Sequence, residues 1–510
     1  MKTPCEAIQT DVLILGAGAA GIRASLAAVR EGAEVTVVSR GPATRCGSSF
    51  SPLSGGWGIQ ALAGEECTEK RLEDFYDEIL QAGLGMADPK LARILVEESG
   101  PRLEDLMSYG LRFRRNSQGA YVRVKGCFSE CERAFLTEAR QNIKDVFLKM
   151  LDRSGAKAMT GYAVDLIVRE GICLGAWVLT PGATLVGVTA GATLLATGGG
   201  AGIFQDHLVT DDEVGDGYAL AHRAGAEMNN MEFIQFMLGL RGDGIRRFLP
   251  LSELKRPRVI LDSDGDDLLK MAIPDEEDRL GACEERINHH PFSTRDRSSL
   301  IDLAVARACS GEGKVFWAGE GDRDRRLEVA HFSHAFNGGI RIDETGESTV
   351  PCLFAAGEVA AGPHGADRIG GCMMTATQVF GERAGKYAAR RARENAGPAE
   401  PSSSDSCLSF LDPGSRSRKS FLREICGAGK ALCEQYLKVL RDRKGLDLCL
   451  SGLQALGENL EKGGPYAVAD LGAYISARSL LTTARLVAEG ASRRTDSLGS
   501  HFRIDDLQCP

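Results

Sequence analysis

The stretch "DVLILGAGAAGIRASLAAVREGAEVTVVSR", residues 11–40, decides the fold. Its apolar run at residues 12–15 suits a strand buried on both faces, as in a parallel sheet. Gly16, Gly18 and Gly21 follow directly in the spacing Gly-x-Gly-x-x-Gly. Residues 22–30 then carry helical spacing, and residues 35–38 form a second buried strand. In this strand–turn–helix–strand frame the three glycines read as a dinucleotide-binding turn. The first permits the turn, the second lets a pyrophosphate approach the backbone, and the third lets the helix pack closely. The helix N-terminus, with Ala19 and Ala20, then faces the phosphates. The acid expected at the end of the second strand, to hold a ribose hydroxyl, is replaced by Ser39, with Arg40 next. A serine hydroxyl still bonds, but more weakly than a carboxylate.

Working outward, residues 44–61 ("TRCGSSFSPLSGGWGIQA") make a Gly/Ser loop containing Ser48, Ser49, Gly55 and Gly56. Helical patterns are expected at residues 69–81, 89–109 and 134–153, with short strands around Val164 and Ala176. "ATLLATGGGAG", residues 192–202, is a further buried strand ending in glycines, of the kind that closes a nucleotide-binding half. Between residues 233 and 332 short apolar runs alternate with many charges, which reads as an inserted domain. Glycine-rich nucleotide chemistry returns at "NGGIRIDETGESTVPCLFAAGEV", residues 337–359. Residues 395–417 have linker composition, and residues 421–493 carry three helical patterns, as in a small bundle. The expected organisation is a nucleotide-binding domain in two pieces, 1–232 and 333–394, an inserted domain 233–332, a linker 395–417 and a helical domain 418–510.

Composition narrows the function. The chain has 510 residues, too many for one compact domain. Its net charge of −9 argues against nucleic acid as the main partner, since phosphate binding needs a positive face. The 15 cysteines include no Cys-x-x-Cys, and the nearest approach is Cys127 and Cys131. No metal site or iron–sulfur run is expected, and free buried thiols fit a reducing cytoplasm. The N-terminal apolar run is too short for a signal peptide. No segment reaches the roughly 20 apolar residues of a membrane helix.

Several motifs in order resemble the FAD-containing flavoproteins of the succinate dehydrogenase and fumarate reductase type, whose superfamily includes L-aspartate oxidase and the adenylylsulfate reductase alpha subunit. The glycine turn at Gly16 is followed by "ATGG" from Ala196, "GDG" from Gly215, "MEFIQF" from Met231, "HAFNGGI" from His334, and "AAGEV" and "HGADRIGG" from Ala355 and His364. "RRTDSLGSHFR", residues 493–503, is similar to the closing motif, with Asp496 for a Glu and Leu498 for an Arg. The resemblance implies an α/β fold: a Rossmann-like FAD-binding domain, an inserted α+β capping domain and a C-terminal helical bundle.

It also implies a site. FAD contacts fall on Gly16, Gly18, Ala19, Ala20, Gly21, Ser39, Arg40, Ser48, Ser49, Gly55 and Gly56, then on Ala196, Thr197, Gly198, Asp216, Gly357, Glu358, Met373 and Met374. A helix after Cys372 would turn its positive end toward the flavin, stabilising a reduced, anionic ring. Membrane-bound relatives bond FAD covalently through a histidine that would fall near Ser49. The loop has none, so noncovalent FAD is expected. Arg368 corresponds to the residue that clasps a substrate carboxylate, a task suited to a planar guanidinium. His364 shares its loop, and His334, with His331 as a rival, corresponds to a second carboxylate ligand. The proton donor of this family is an arginine, matched by Arg256 in "SELKRPRVILDSDG" in preference to Arg241 in "RGDG". A histidine ligand in the motif Phe-His-Pro-Thr is replaced here by Met237, whose thioether donates no hydrogen bond.

The expected function is therefore an FAD-dependent oxidoreductase moving hydride between flavin N5 and a carboxylic acid, with electrons exchanged through a separate iron–sulfur subunit. An L-aspartate oxidase-like enzyme and an electron-relay subunit with a decayed substrate site are the alternatives. A cytoplasmic location, peripheral to the inner membrane at most through a partner, follows from the same resemblance.

Overall fold

A computed structural model of the chain describes residues 6–51, 57–182, 184–241, 246–249, 258–311, 313–319, 322–395, 412 and 414–506. Its central sheet runs, edge to edge, Lys157–Thr160, Val35–Ser39, Glu6–Leu15, Leu185–Leu195, Ile172–Leu179 and Tyr162–Arg169. The first four are parallel, as the continuous apolar runs predict, and the last two fold back antiparallel. Leu353–Ala355 also pairs in parallel with Leu185–Leu195. The first strand starts at Glu6, ahead of its apolar run, because residues 6–10 pair with residues 186–190.

Register carries the consequence for function. Leu15 and Ala355 are both opposite Leu195. Three strands thus end level, and the residues that follow them, from Gly16, Ala196 and Ala356, emerge side by side. The carboxyl ends of parallel strands at such a junction are where open α/β sheets bind ligands. The helix Ala19–Arg30 leaves the first of these turns and packs on the long helix Cys372–Glu394. The contact is close because Gly381 and Gly385 of the second helix lie against the carbonyls of Ala20 and Ala24, leaving no room for a Cβ.

A second layer is built between residues 234 and 336. There a five-stranded sheet joins Arg247–Phe248, Ile234–Leu240, Asp322–Phe336, Val315–Gly319 and Arg258–Leu261. With the helices Leu268–Ala272, Glu276–Arg286 and Ser299–Ala308 it encloses a separate apolar cluster that includes Leu238, Ile260, Val305, Trp317 and Val329. This is the α+β cap. Three helices, Lys419–Tyr436, Arg443–Lys462 and Leu471–Arg493, form the C-terminal bundle.

Residues 134–153 do not form the single helix expected from their spacing. Glu132–Leu136 is a strand pairing with Gly58–Gln60 and Arg123–Lys125, and the helix is Arg140–Ser154. Ala134 and Phe135 are apolar at both helical and strand spacing, and burial against two neighbouring strands decides for the strand. Most of the expected linker, residues 396–411 and 413, lies outside the described residues. Among the described residues no helix is long and apolar enough to cross a membrane.

Candidate active site

A cavity of about 400 Å³ opens where the three strands end and extends to the loop bearing Arg368. That volume is in the usual range for small-molecule and cofactor sites. One part of its wall is backbone. Gly16 has φ +115°, and a Cβ there would fall inside van der Waals contact of the Ala196 carbonyl. Gly21 does not line the cavity. It lies beneath the turn, against the Gly16 carbonyl, where a side chain would force the helix off the strand. Gly18, Ala19, Ala20, Ala196, Thr197, Gly198 and Gly357 complete this wall.

Polar side chains ring the same region. Ser39, Arg40, Ser48, Ser49 and Asp216 line the cavity. Ser49 stands over the start of the glycine-turn helix, its hydroxyl accepting from the Ala19 amide at 3.2 Å. Arg40 pairs with Asp216 and donates to the Asp212 carbonyl at 2.8 Å. Thr197 Oγ1 and Asp216 Oδ1 are buried with no protein partner. Unpaired buried polar atoms are costly, so a backbone cradle edged by them fits a polar nucleotide well. The carboxylate of Glu358 accepts from the Phe336 amide at 3.0 Å. Met373 and Met374, in the first turn of the helix Cys372–Glu394, complete the lining at that helix's N-terminus. Gly55 and Gly56 lie outside the described residues.

Glu213 was not legible in the sequence, because its acidic run at residues 211–213 reads as a solvated turn. It is instead only 4% exposed and lines the cavity, taking hydrogen bonds from both the amide and the hydroxyl of Ser48, the latter at 2.7 Å. Burial, then repulsion from Glu358, pushes Glu213 up to about 8, and burial raises Glu358 to about 7. The folded chain thus holds a proton on Glu213 across a window, from the ordinary 4.5 to about 8, in which the unfolded chain has released it. Stability of the FAD-free protein is therefore expected to fall as pH rises through that window. Glu213→Gln, whose amide oxygen can still accept from Ser48, should make the decline visibly shallower. Thermal unfolding of the FAD-free protein from pH 5 to 8 measures both slopes; parallel slopes would refute the assignment.

At the other end of the cavity stand His334 and Arg368. Arg368 is 6% exposed and donates through Nη2 to Gln235 Oε1, while its Nε has no partner. Burial lowers its pKa from the ordinary guanidinium value, against a raising influence from Glu358. His334 Nδ1 is also buried without a partner. Burial and the Arg368 charge pull His334 down to about 3, so its imidazole is neutral near pH 7. Its ring meets Phe248 edge-on at 5.3 Å. Phe248 and Leu208, two further lining side chains, carry no sequence signal of their own.

Other expected site residues stand elsewhere. His364 is buried on the Arg368 loop and is not part of the cavity lining. His331 bonds Asp302 at 2.9 Å, within the cap. Arg241 pairs with Asp206, away from the lining. Arg256 lies outside the described residues. Met237 is buried in a small apolar cluster with Leu208, Ala330 and Phe332. The described arginine that does reach the Arg368 loop is Arg295, whose Nε lies 3.4 Å from Asp367 Oδ2. Ser293 donates to the same carboxylate at 2.6 Å.

Comparison with known proteins gives the chain's family and relatives. The FAD binding domain family matches residues 11–270 and 304–374, and the fumarate reductase flavoprotein C-terminal family matches residues 430–508. The chain is 28% identical to a fumarate reductase (CoM/CoB) subunit of Methanothermobacter marburgensis, over 98% of this chain and 95% of that protein. It is 28% identical to an L-aspartate oxidase of Halobacterium salinarum, over 98% of this chain and 97% of that one. Its fold is similar to that of Mycobacterium smegmatis Sdh1 in complex with UQ1, with a TM-score of 0.82, 24% identity and coverage of 98% and 89%.

Proposed function

The chain belongs to the FAD-binding, fumarate reductase-type flavoprotein family, a family of flavin-dependent oxidoreductases, and from that premise we propose that it oxidises or reduces a carboxylic acid held by Arg368 and His334. The observation that carries the reading is the shared cavity: the glycine turn at one end, two partly unpaired nitrogen donors at the other. Bound noncovalently, FAD supplies the hydride donor or acceptor. Gly16, Gly18, Ala19, Ala20, Ala196, Thr197, Gly198 and Gly357 form its backbone cradle, with Gly21 supporting the turn. Ser39, Arg40, Ser48, Ser49, Asp216 and Glu358 offer it polar contacts, and the amides at Met373 and Met374 a positive helix end. Gly55 and Gly56 follow Ser48 and Ser49 in the sequence.

Arg368 grips the substrate carboxylate. Its charge is screened little in so buried a site, so it also draws off charge that develops on the neighbouring carbon. His334, neutral, adds a directed hydrogen bond and is not the acid. His364, buried on the same loop outside the cavity lining, positions that loop and does not touch the acid. Proton delivery falls to an arginine. Arg256 is the residue that the resemblance supports. Arg256→Ala tests this. The proton donor's variant should lose at least about a hundredfold in turnover while still binding the acid, seen as a perturbation of the flavin spectrum.

Electrons are exchanged with a separate iron–sulfur partner, since the cysteine spacing offers no cluster motif. Anaerobic titration of the FAD-loaded protein with succinate, fumarate and L-aspartate tests the whole reading. Bleaching by aspartate but not succinate would favour an aspartate oxidase-like activity. No response to any carboxylic acid would leave a relay subunit.

A further inference from the structure

Two carboxyl groups stand against successive residues of the turn that follows Leu185–Leu195. A Cβ at Gly198 would lie 3.5 Å from Glu213 Oε1, and one at Gly199 would collide with Glu358. Both acids line the cavity. Glu213 is fixed there by Ser48, whose amide and hydroxyl each take one acceptor site, on Oε1 and Oε2 in turn. The next residue, Ser49, stands over the Ala19 amide at the start of the helix Ala19–Arg30. Glu213 thus joins the serine loop to the glycine wall. Thr197, just before Gly198, has its hydroxyl buried with no partner among the described residues.

The charged and titratable groups facing Glu213 come from several segments. They are Glu358, Asp212 on its own loop, the Tyr218 hydroxyl of the helix Asp216–Arg223, and Arg40, with Cys46 beside Arg40. Arg40 is already held by Asp216 and by the Asp212 carbonyl. Residues 52–56, which continue the serine loop outside the described residues, carry no charged side chain. An ionised Glu213 in so buried a place would repel both Glu358 and the pyrophosphate of FAD. As a neutral acid it gains an O–H to donate, and the bonds from Ser48 leave that proton for a group in the cavity.

We infer that Glu213 is a ligand of FAD and binds the cofactor as the neutral acid, its O–H donating to a cofactor oxygen. Burial and Glu358 push Glu213 up to about 8 in the FAD-free chain, and a ligand that accepts its proton raises it further. Below about pH 8 the acid is already protonated, and FAD binding needs no proton. Above it each FAD bound draws one proton from solution, and affinity falls by about tenfold per pH unit.

The test titrates the full chain with FAD between pH 6.5 and 9.5 and reads affinity from the change in flavin fluorescence. Wild-type affinity should be level up to about pH 8 and fall about tenfold per unit beyond it. Glu213→Gln keeps an acceptor for Ser48 and an N–H to donate but cannot ionise. It should match the wild type at pH 6.5 and stay level throughout. Glu213→Ala, which loses the donor, should bind FAD about tenfold more weakly at pH 6.5, the scale of one buried hydrogen bond. A further reading needs no variant: FAD added to lightly buffered wild-type protein at pH 9 should take up about one proton per cofactor, seen with an indicator dye. Level wild-type affinity, binding without proton uptake, or a slope unchanged in Glu213→Gln overturns the inference. The carboxylic-acid reading stands or falls separately, since none of these measurements involves a substrate.

Discussion

Arg368→Ala is expected to lower kcat/KM for the acid by about a thousandfold or more while FAD stays bound. The magnitude follows from what is lost. A buried, charge-assisted, two-pronged contact is among the strongest single interactions a site can offer, and removing a donor aimed at developing charge costs about 10²–10³ in rate by itself. Ground-state binding adds to that. FAD should remain because the cradle at Gly16, Ala196 and Gly357 is backbone that Arg368 does not build. Arg368→Lys should recover only part of the loss, since an ammonium keeps the charge and gives up the fork. Flavin content after desalting and substrate-driven bleaching are the two readings. Loss of flavin with the side chain would show that Arg368 serves the cofactor instead.

Gly16→Ala is expected to abolish FAD binding and destabilise the chain by about 2–5 kcal/mol, the combined scale of backbone strain and overpacking. The added methyl meets the Ala196 carbonyl, which is backbone at the end of a buried central strand and cannot swing away. At φ +115° the residue also leaves the region open to side chains. Gly427→Ala provides the contrast. It lies in the helix Lys419–Tyr436, with nothing within 4 Å of the new methyl, and should stabilise slightly through helix propensity. Thermal unfolding and flavin retention of the two variants should diverge in opposite directions.

Local chemistry was readable wherever neighbours in sequence do the work. The glycine turn, the parallel strand runs and the three C-terminal helices depend on contacts within a few residues, and each is spelled out by spacing alone. Residues 134–153 mark the limit of that kind of reading: their periodicity is ambiguous, and two partner strands, one of them more than seventy residues away, settled it.

By itself, then, the sequence determined a dinucleotide-binding α/β frame and, through ordered motifs, the flavoprotein family. Only the tertiary structure decided which side chains share the cavity. It brought Glu213 inward from what reads as a surface turn, held His331 in a hydrogen bond to Asp302 and Arg241 in an ion pair with Asp206, and set Leu208 and Phe248 into the lining with Arg368. The reason is physical. A turn or a helix is specified by local dihedral and propensity preferences, whereas burial, charge partners and the shape of a cavity are properties of surfaces that meet only when distant segments pack.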